Sequence, residues 1–428
     1  MEKIVKLHYG NAVRDFDISE LKLLGILEPH HYPKIDNQEE AIYNAIRSPL
    51  YGPPLLELAR NKKSAVILVS DKTRRTLAKE ILPILLEELS RGGIPLSRIT
   101  IIIAVGAHPM LTEDEMKLLL GEKIISSITV INHNCRDFSS LEYRGTSPRG
   151  TPIYINRVFL DAELKILTGA INYHDFAGFS GGAKSVLPGI SGFSTISHNH
   201  LLLLNPSFGT GYNPMATAGI LDGNPVHEDM EDITSLINPD FLINVVFNKE
   251  GELSQIVSGN WRLAHRAGCK TIERIFSAEV DEKADVVLVS AGGYPFDINF
   301  YQAMKSIINT MGIVKDDGAI ILVASCVEGL GTHHLKEWLS IDSPVMLEKD
   351  LRENFNMIGK IAYDIKIVLR GRRVVMITEL PEEDVNLLGF KKAKSLEEAM
   401  DLLSLRDNST IYVVPFGNIT VAKRTIPL

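Results

Sequence analysis

Residues 64–76 read SAVILVSDKTRRT. The first seven form a short apolar, β-branched run that ends abruptly at Asp71, as a buried strand does. An amphipathic helix follows to about Ser90, closed by Gly92-Gly93. Ile99 to Ala104 is the next strand, ending at Gly106-Ala107-His108-Pro109, and Thr112 to Glu115 forms a capping box that opens the next helix. Strand and helix keep alternating, which is the pattern of an α/β domain with a largely parallel sheet.

Outward from this core the same grammar continues. Residues 3–18 alternate weakly around Tyr9-Gly10-Asn11 and read as a hairpin; residues 36–62 read as helical with a polar face. Residues 205–224 are rich in Gly, Pro and Asn and read as an ordered loop, after which helical patterns lead to Gly268-Cys269-Lys270. Charged residues 279–283 follow, and the pattern then restarts. A strand spans Ala284 to Ser290, a turn Ala291 to Pro295, a helix Ile298 to Met311 and a strand Ala319 to Ser325. Later strands are expected at 374–378 and 410–414. The expected organisation is two α/β domains with largely parallel sheets, 1–272 and 273–428.

Composition bounds the function. The chain has 428 residues, 45% hydrophobic and 23% charged, an ordinary globular balance large enough for sizeable cores. A net charge of −8 disfavours nucleic acid and anionic membrane surfaces as general partners. No apolar run reaches transmembrane length, and the polar N-terminus does not read as a signal peptide. Cys135, Cys269 and Cys326 are scattered and suggest neither a disulfide framework nor a thiolate metal site. A cytoplasmic protein is expected, and the sequence leaves room for an oligomer.

The chemistry gathers in residues 171–200, INYHDFAGFSGGAKSVLPGISGFSTISHNH. The run Leu164 to Ile171 enters it as a strand. Gly178, Gly181 and Gly182 let the backbone approach a ligand, and their amides could form an anion nest. Lys184 follows, Pro188-Gly189 stops any long helix, and His198 and His200 stand near the start of an apolar helix, 200–204. A nucleoside-triphosphate P-loop fits poorly: Ala183 occupies the place of its second glycine, and the strand does not lead directly into the loop. Asp71, Arg74, His108 and His174 each lie just past an expected strand end, where ligands of open α/β sheets sit. Taken singly, each is more economically a satisfied polar loop residue, and Asp71 with Arg74 a surface ion pair. Tyr301, Gln302 and Lys305 share a helix face that would ordinarily be a solvated one.

The stretch resembles the central motif of the nickel-dependent lactate racemase family. The carrying residues are His174, Ala177-Gly178-Phe179-Ser180-Gly181-Gly182, Lys184, Leu187-Pro188-Gly189 and Asn199-His200. The same family has Y-Q-x-x-K after a GGYP-x-D-x-N turn, here Gly292 to Pro295, Asp297, Asn299, Tyr301, Gln302 and Lys305. The likeness is strong over roughly residues 1–320 and loose beyond.

The resemblance implies a racemase or epimerase of a small 2-hydroxy acid, with the active site in the cleft between the domains. Taking Cα–H as a proton would place a carbanion beside a carboxylate. Removing hydride while a base takes the hydroxyl proton gives instead a flat α-keto acid, open to hydride return on either face. Histidine suits the base role because its pKa lies near working pH. By the resemblance the hydride acceptor is a nickel-pincer nucleotide (the nickel complex of pyridinium-3,5-bisthiocarboxylic acid mononucleotide) tethered covalently to Lys184. His200 is then the protein ligand to nickel, and His108 and His174 are the acid/base pair. Asp71, Arg74, Ser180, Gly181, Gly182, Tyr301, Gln302 and Lys305 contact cofactor or substrate, and separate cofactor-biosynthesis enzymes are required partners. Two positions depart from the family pattern. Asp175 stands where an aromatic residue is common, and Arg75 where a proline is; both bear on the substrate side chain. A zinc hydrolase built on His108, His174 and His200 lacks any HExxH-type spacing. A noncatalytic nucleotide- or cofactor-binding protein of the same fold is the other alternative.

Overall fold

The structure, a computed structural model, describes residues 3–424. The chain divides into two compact units. One comprises His31–Leu204 and Tyr212–Ile275; the other comprises Asn205–Gly211, the chain from Phe276 onward and the described residues before His31. The passage near 275 lies close to the expected boundary at 272. The N-terminal residues, however, belong to the second unit rather than to the block that follows them.

The first unit is built on a six-stranded sheet in the order Leu253–Gly259, Phe241–Phe247, Leu164–Ala170, Ala65–Ser70, Ile99–Ala104, Thr129–Asn132. All neighbours are parallel except the first pair. The central strands are buried almost end to end, which is why they read as unbroken apolar runs rather than alternating ones. Helices Gln38–Arg47 and Ala78–Arg91 cover one face, with Ile42, Ile46, Leu82, Leu85 and Leu89 packed on Ile67, Ile101, Ile166 and Ile243.

Four local expectations differ from what is seen. Residues 36–62 break into Gln38–Arg47 and Leu55–Ala59, because Pro49, Pro53 and Pro54 cannot continue a helix. Between 241 and 259 lie two antiparallel strands rather than helix, joined by a turn at Asn248 to Gly251. A hairpin, Leu141–Thr146 with Pro152–Asn156, was not anticipated. The helix carrying His200 is Phe193–Leu201, so His200 sits in its last turn and not at its start; Asn205-Pro206 forbids continuation.

Within this sheet the chain runs from Ala65–Ser70 outward to one side, then returns to the other side with Leu164–Ala170. The topological switch point therefore lies between the carboxyl ends of those two strands, the expected ligand position. Asp71 leaves one of them and the loop of His174 and Lys184 leaves the other.

The second unit holds a wholly parallel sheet in the order Lys391–Ala393, Arg373–Ile377, Val314–Val323, Ala284–Ser290, Thr410–Val414, Lys22–Ile26. The hairpin Ile4–Tyr9 with Ala12–Asp17 packs Leu7 and Phe16 into the same core as Leu288, Ile321 and Val413. Its switch point lies between Ala284–Ser290 and Thr410–Val414. There Gly417 N donates to Ser290 O at 2.8 Å, and Asn418 Nδ2 donates to the carbonyl of Gln302 at 2.9 Å.

Candidate active site

Asp71 is 5% exposed, and its Oδ2 accepts a hydrogen bond from His108 Nδ1 at 2.6 Å. The amide of Thr73 donates to Oδ1 at 3.0 Å. Burial opposes ionisation of this carboxyl, but the hydrogen bonds from His108 and Thr73 outweigh it and hold Asp71 below the usual carboxylate range. A carboxylate on Nδ1 puts the His108 proton there and leaves Nε2 as the basic atom of the neutral ring. The loop carrying His108 is fastened to the lysine turn: Gly106 N donates to Gly189 O at 3.0 Å.

His174 and Gly178 face one another in a two-residue ladder, Tyr173–His174 with Gly178–Phe179. Two groups compete for His174 Nδ1. The Ala177 amide donates to it at 3.3 Å, which favours the neutral ring; Asp175 Oδ1 lies 3.1 Å away, which favours the cation. Burial, then the charge of Lys184, push this imidazole well below its ordinary pKa against the pull of Asp175; Arg74 and His200 add to the push.

Phe176, 3% exposed, is one residue that sequence reading passed over. Its ring lies edge-on to His174 at 4.6 Å and to His200 at 5.1 Å, and Lys184 Nζ stands 5.8 Å from its centroid. One aromatic side chain thus spaces three of the expected site residues. A Phe between His174 and Ala177 carries no periodic signal that separates it from core. Lys184 itself sits on a 3₁₀ turn, Gly182–Ser185, with no long helix after it. Burial and then the Arg74 charge bring its amine down to about 7, with Asp175 opposing.

The glycine-rich turn is organised for close packing. Gly181 has φ of +74°, and a Cβ there would lie 2.6 Å from Asn244 Oδ1; Gly182 has φ of +53°, and a Cβ would lie 2.5 Å from the His265 ring. The amides of Ser180, Gly182 and Lys184 are donated to Asn172 O, Asn244 Oδ1 and Gly181 O, so of the three glycine amides expected in an anion nest that of Gly182 is committed within the unit. Ser180 Oγ accepts from Asn172 N and donates to Ala170 O, both at 2.9 Å, and His265 Nε2 lies 2.9 Å from the Ser180 carbonyl. Asn244 and His265 were not anticipated, though one Asn inside FLINVVF, residues 241–247, is the kind of buried polar group that needs a partner.

The two departures from the family pattern separate here. Arg75 stacks on Phe247 at 4.6 Å and donates to Gly251 O, which ties it to the turn after strand Phe241–Phe247. Asp175 stays with His174 and Lys184. In the second unit, helix Phe300–Thr310 is capped by Asn299, whose Oδ1 accepts from Gln302 N at 3.1 Å, and Lys305 Nζ donates to Gln302 Oε1 at 2.8 Å. Asp297 is fully buried and accepts from Gly10 N and Ser325 N, so its role is to fasten loops. Among the described residues no group of three or more His, Cys, Asp or Glu side chains is placed to hold a metal ion, and no helix is long and apolar enough to cross a membrane.

The donor set suits a group attached at lysine and ligated once by protein. An amine brought to about 7 is a competent nucleophile at neutral pH, and a buried imidazole, His200, adjoins the same aromatic ring. An open α/β sheet that gathers imidazoles and an activated amine at its switch point has the build of a small-molecule enzyme. Comparison with known proteins is specific. A lactate racemase N-terminal domain matches residues 9–211, and a lactate racemase C-terminal domain matches 280–421. A lactate racemase of Thermoanaerobacterium thermosaccharolyticum is 32% identical over 424 residues, covering 96% of this chain and 97% of that one. One from Lactiplantibacillus plantarum is 32% identical over 403 residues, covering 90% and 91%. The apoprotein structure from T. thermosaccharolyticum superposes with a TM-score of 0.88 at 31% identity, covering 98% and 100%. A protein from Thermotoga maritima, at 19% identity and a TM-score of 0.63 over 92% and 100%, shares the fold. The chain belongs to the lactate racemase family, and the enzyme is an isomerase.

Proposed function

We propose that this chain inverts the α-carbon of a small 2-hydroxy acid, as a racemase or epimerase, with His108 and His174 exchanging the hydroxyl proton. The observation that carries the reading is the contrast between the two imidazoles. His108 is held by a buried carboxylate with Nε2 as its basic atom. His174 is half-buried and kept neutral until Asp175 is called on to support a second proton. On this reading His108 Nε2 takes the hydroxyl proton of one enantiomer while Asp71 stabilises the imidazolium. His174 does the same for the other enantiomer with Asp175 as counter-ion. Arg74 supplies positive charge for the substrate carboxylate, and Tyr301, Gln302 and Lys305 contact substrate or nucleotide. When bound, the nickel-pincer nucleotide supplies a hydride acceptor, with Lys184 as its attachment point and His200 as its protein ligand.

The test is co-expression with the cofactor-synthesis enzymes followed by a screen of 2-hydroxy acids for loss of optical purity. Loss of optical purity with at least one acid is expected. Loaded protein that leaves every acid unchanged points instead to a noncatalytic cofactor-binding role.

A further inference from the structure

Asn199, fully buried on helix Phe193–Leu201, precedes His200 and faces helix Pro225–Ile237. Its Nδ2 donates to Val226 O at 3.0 Å and to Asp229 Oδ2 at 3.0 Å. Both amide hydrogens are thereby used. The opposite amide orientation would set Oδ1 against a carbonyl and a carboxylate oxygen, so chemistry fixes which end is which. Asn199 Oδ1 is left 3.3 Å from His200 Nδ1. An acceptor at that distance calls for a proton on Nδ1, and the lone pair of the neutral ring then sits on Nε2.

The chain of contacts goes one step deeper. Asp229 is fully buried, and three donors converge on it: Asn199 Nδ2, Thr151 Oγ1 at 2.8 Å on the same oxygen, and Ser147 Oγ on the other. Ser147 and Thr151 belong to the turn of the hairpin Leu141–Thr146 with Pro152–Asn156. A carboxylate anchored on a hairpin turn thus aims an amide, and the amide aims a ring.

We propose that Asn199 and Asp229 are positioning residues that set the His200 tautomer, presenting Nε2 rather than Nδ1 to a metal. The inference rests on the reading of His200 as the nickel ligand for its purpose, but the tautomer itself is a property of the protein alone. Metal-bound histidines are commonly oriented through their second nitrogen in this way.

The experiment is long-range ¹H–¹⁵N correlation NMR of histidine-labelled protein made without cofactor, near pH 8, where an ordinary imidazole is neutral. Wild type is expected to show His200 as the Nδ1–H tautomer. Asn199→Ala removes the acceptor, and one hydrogen bond of about 1.4 kcal/mol corresponds to a roughly tenfold shift of the tautomer ratio toward Nε2–H. Asp229→Ala removes the acceptor that fixes the Asn199 amide and should move the tautomer ratio in the same direction. An Nε2–H signal in wild type overturns the proposal without recourse to any variant. A wild-type tautomer that persists in Asn199→Ala overturns the role given to Asn199. The ligand reading fails separately, if His200→Ala protein loaded by co-expression retains full nickel content.

Discussion

His108 Nδ1 and Asp71 Oδ2 are 2.6 Å apart, with the carboxylate buried and the imidazole mostly exposed. The buried partner therefore dictates the orientation of the exposed one. Asp71→Asn keeps the shape but lets the amide offer a donor where the ring also needs to donate. Racemisation at neutral pH should fall by about 10²–10⁴-fold, in the range of a mispositioned acid/base group. Fold and cofactor content should be retained, and activity close to wild type would show that the pair is only a surface contact.

If His108 and His174 flank the substrate, every full inversion uses both. His108→Ala and His174→Ala should each suppress racemisation in both directions, by about 10²–10⁴-fold. A single-turnover absorbance change should survive with one enantiomer only, and the surviving enantiomer should differ between the two variants. Normal turnover in either loaded variant would remove these residues from the mechanism.

Lys184 is expected to carry added mass only when the cofactor pathway is present during expression. Protein made without it should show a bare lysine whose amine is half-deprotonated near pH 7, as burial and Arg74 dictate. Its acylation should therefore fade as pH drops below about 7, whereas ordinary lysines, with pKa values of about 10.4, react appreciably only at much higher pH. Arg74→Ala removes a positive neighbour and should move the midpoint upward. Mass spectrometry of the Lys184 peptide over a pH series measures both.

Phe176→Ala should destabilise the first unit by about 3–5 kcal/mol, as loss of a buried aromatic ring does. It should also raise the Lys184 midpoint by admitting water beside Nζ. Phe176→Leu keeps most of the apolar volume and should show a smaller loss. Denaturant melts together with the acylation series separate the two effects.

His265 links acid stability to the glycine turn. Burial, then the nearby His227, bring it to about 4, against the hydrogen bond it donates to the Ser180 carbonyl. From its unfolded value near 6.5 down to about 4, the unfolded chain binds a proton that the folded chain does not. This stabilisation is complete above 6.5 and is lost as pH falls toward 4, by about 3 kcal/mol in all. His265→Gln keeps a donor toward Ser180 O and removes the titration, so its stability should vary less with pH across this window.

The two large sheets were legible because their central strands are buried on both faces and read as apolar runs, as at 65–70 and 284–290. Helix starts with side-chain caps, such as Thr112 with Glu115, were equally plain. Long-range partners were not. Nothing near Gly182 in the sequence points to His265, and nothing near Lys22–Ile26 points to Thr410–Val414. Asp71, His108 and His174 were picked out as candidates by their placement past strand ends, and the parts given to Lys184 and His200 came from the family resemblance. Phe176 and Asn199 do their spacing and aiming through contacts that no local pattern records.

The strand Lys22–Ile26 pairs only with Thr410–Val414 in its sheet, almost four hundred residues later. During synthesis it leaves the ribosome almost four hundred residues before its partner. The unit bearing the candidate catalytic histidines and the lysine is made entirely in between and can close its own core first. The earlier segment must wait unpaired while all the intervening residues are made. A chain cut short before residue 410 would leave that segment as an unprotected β edge, open to pairing between molecules.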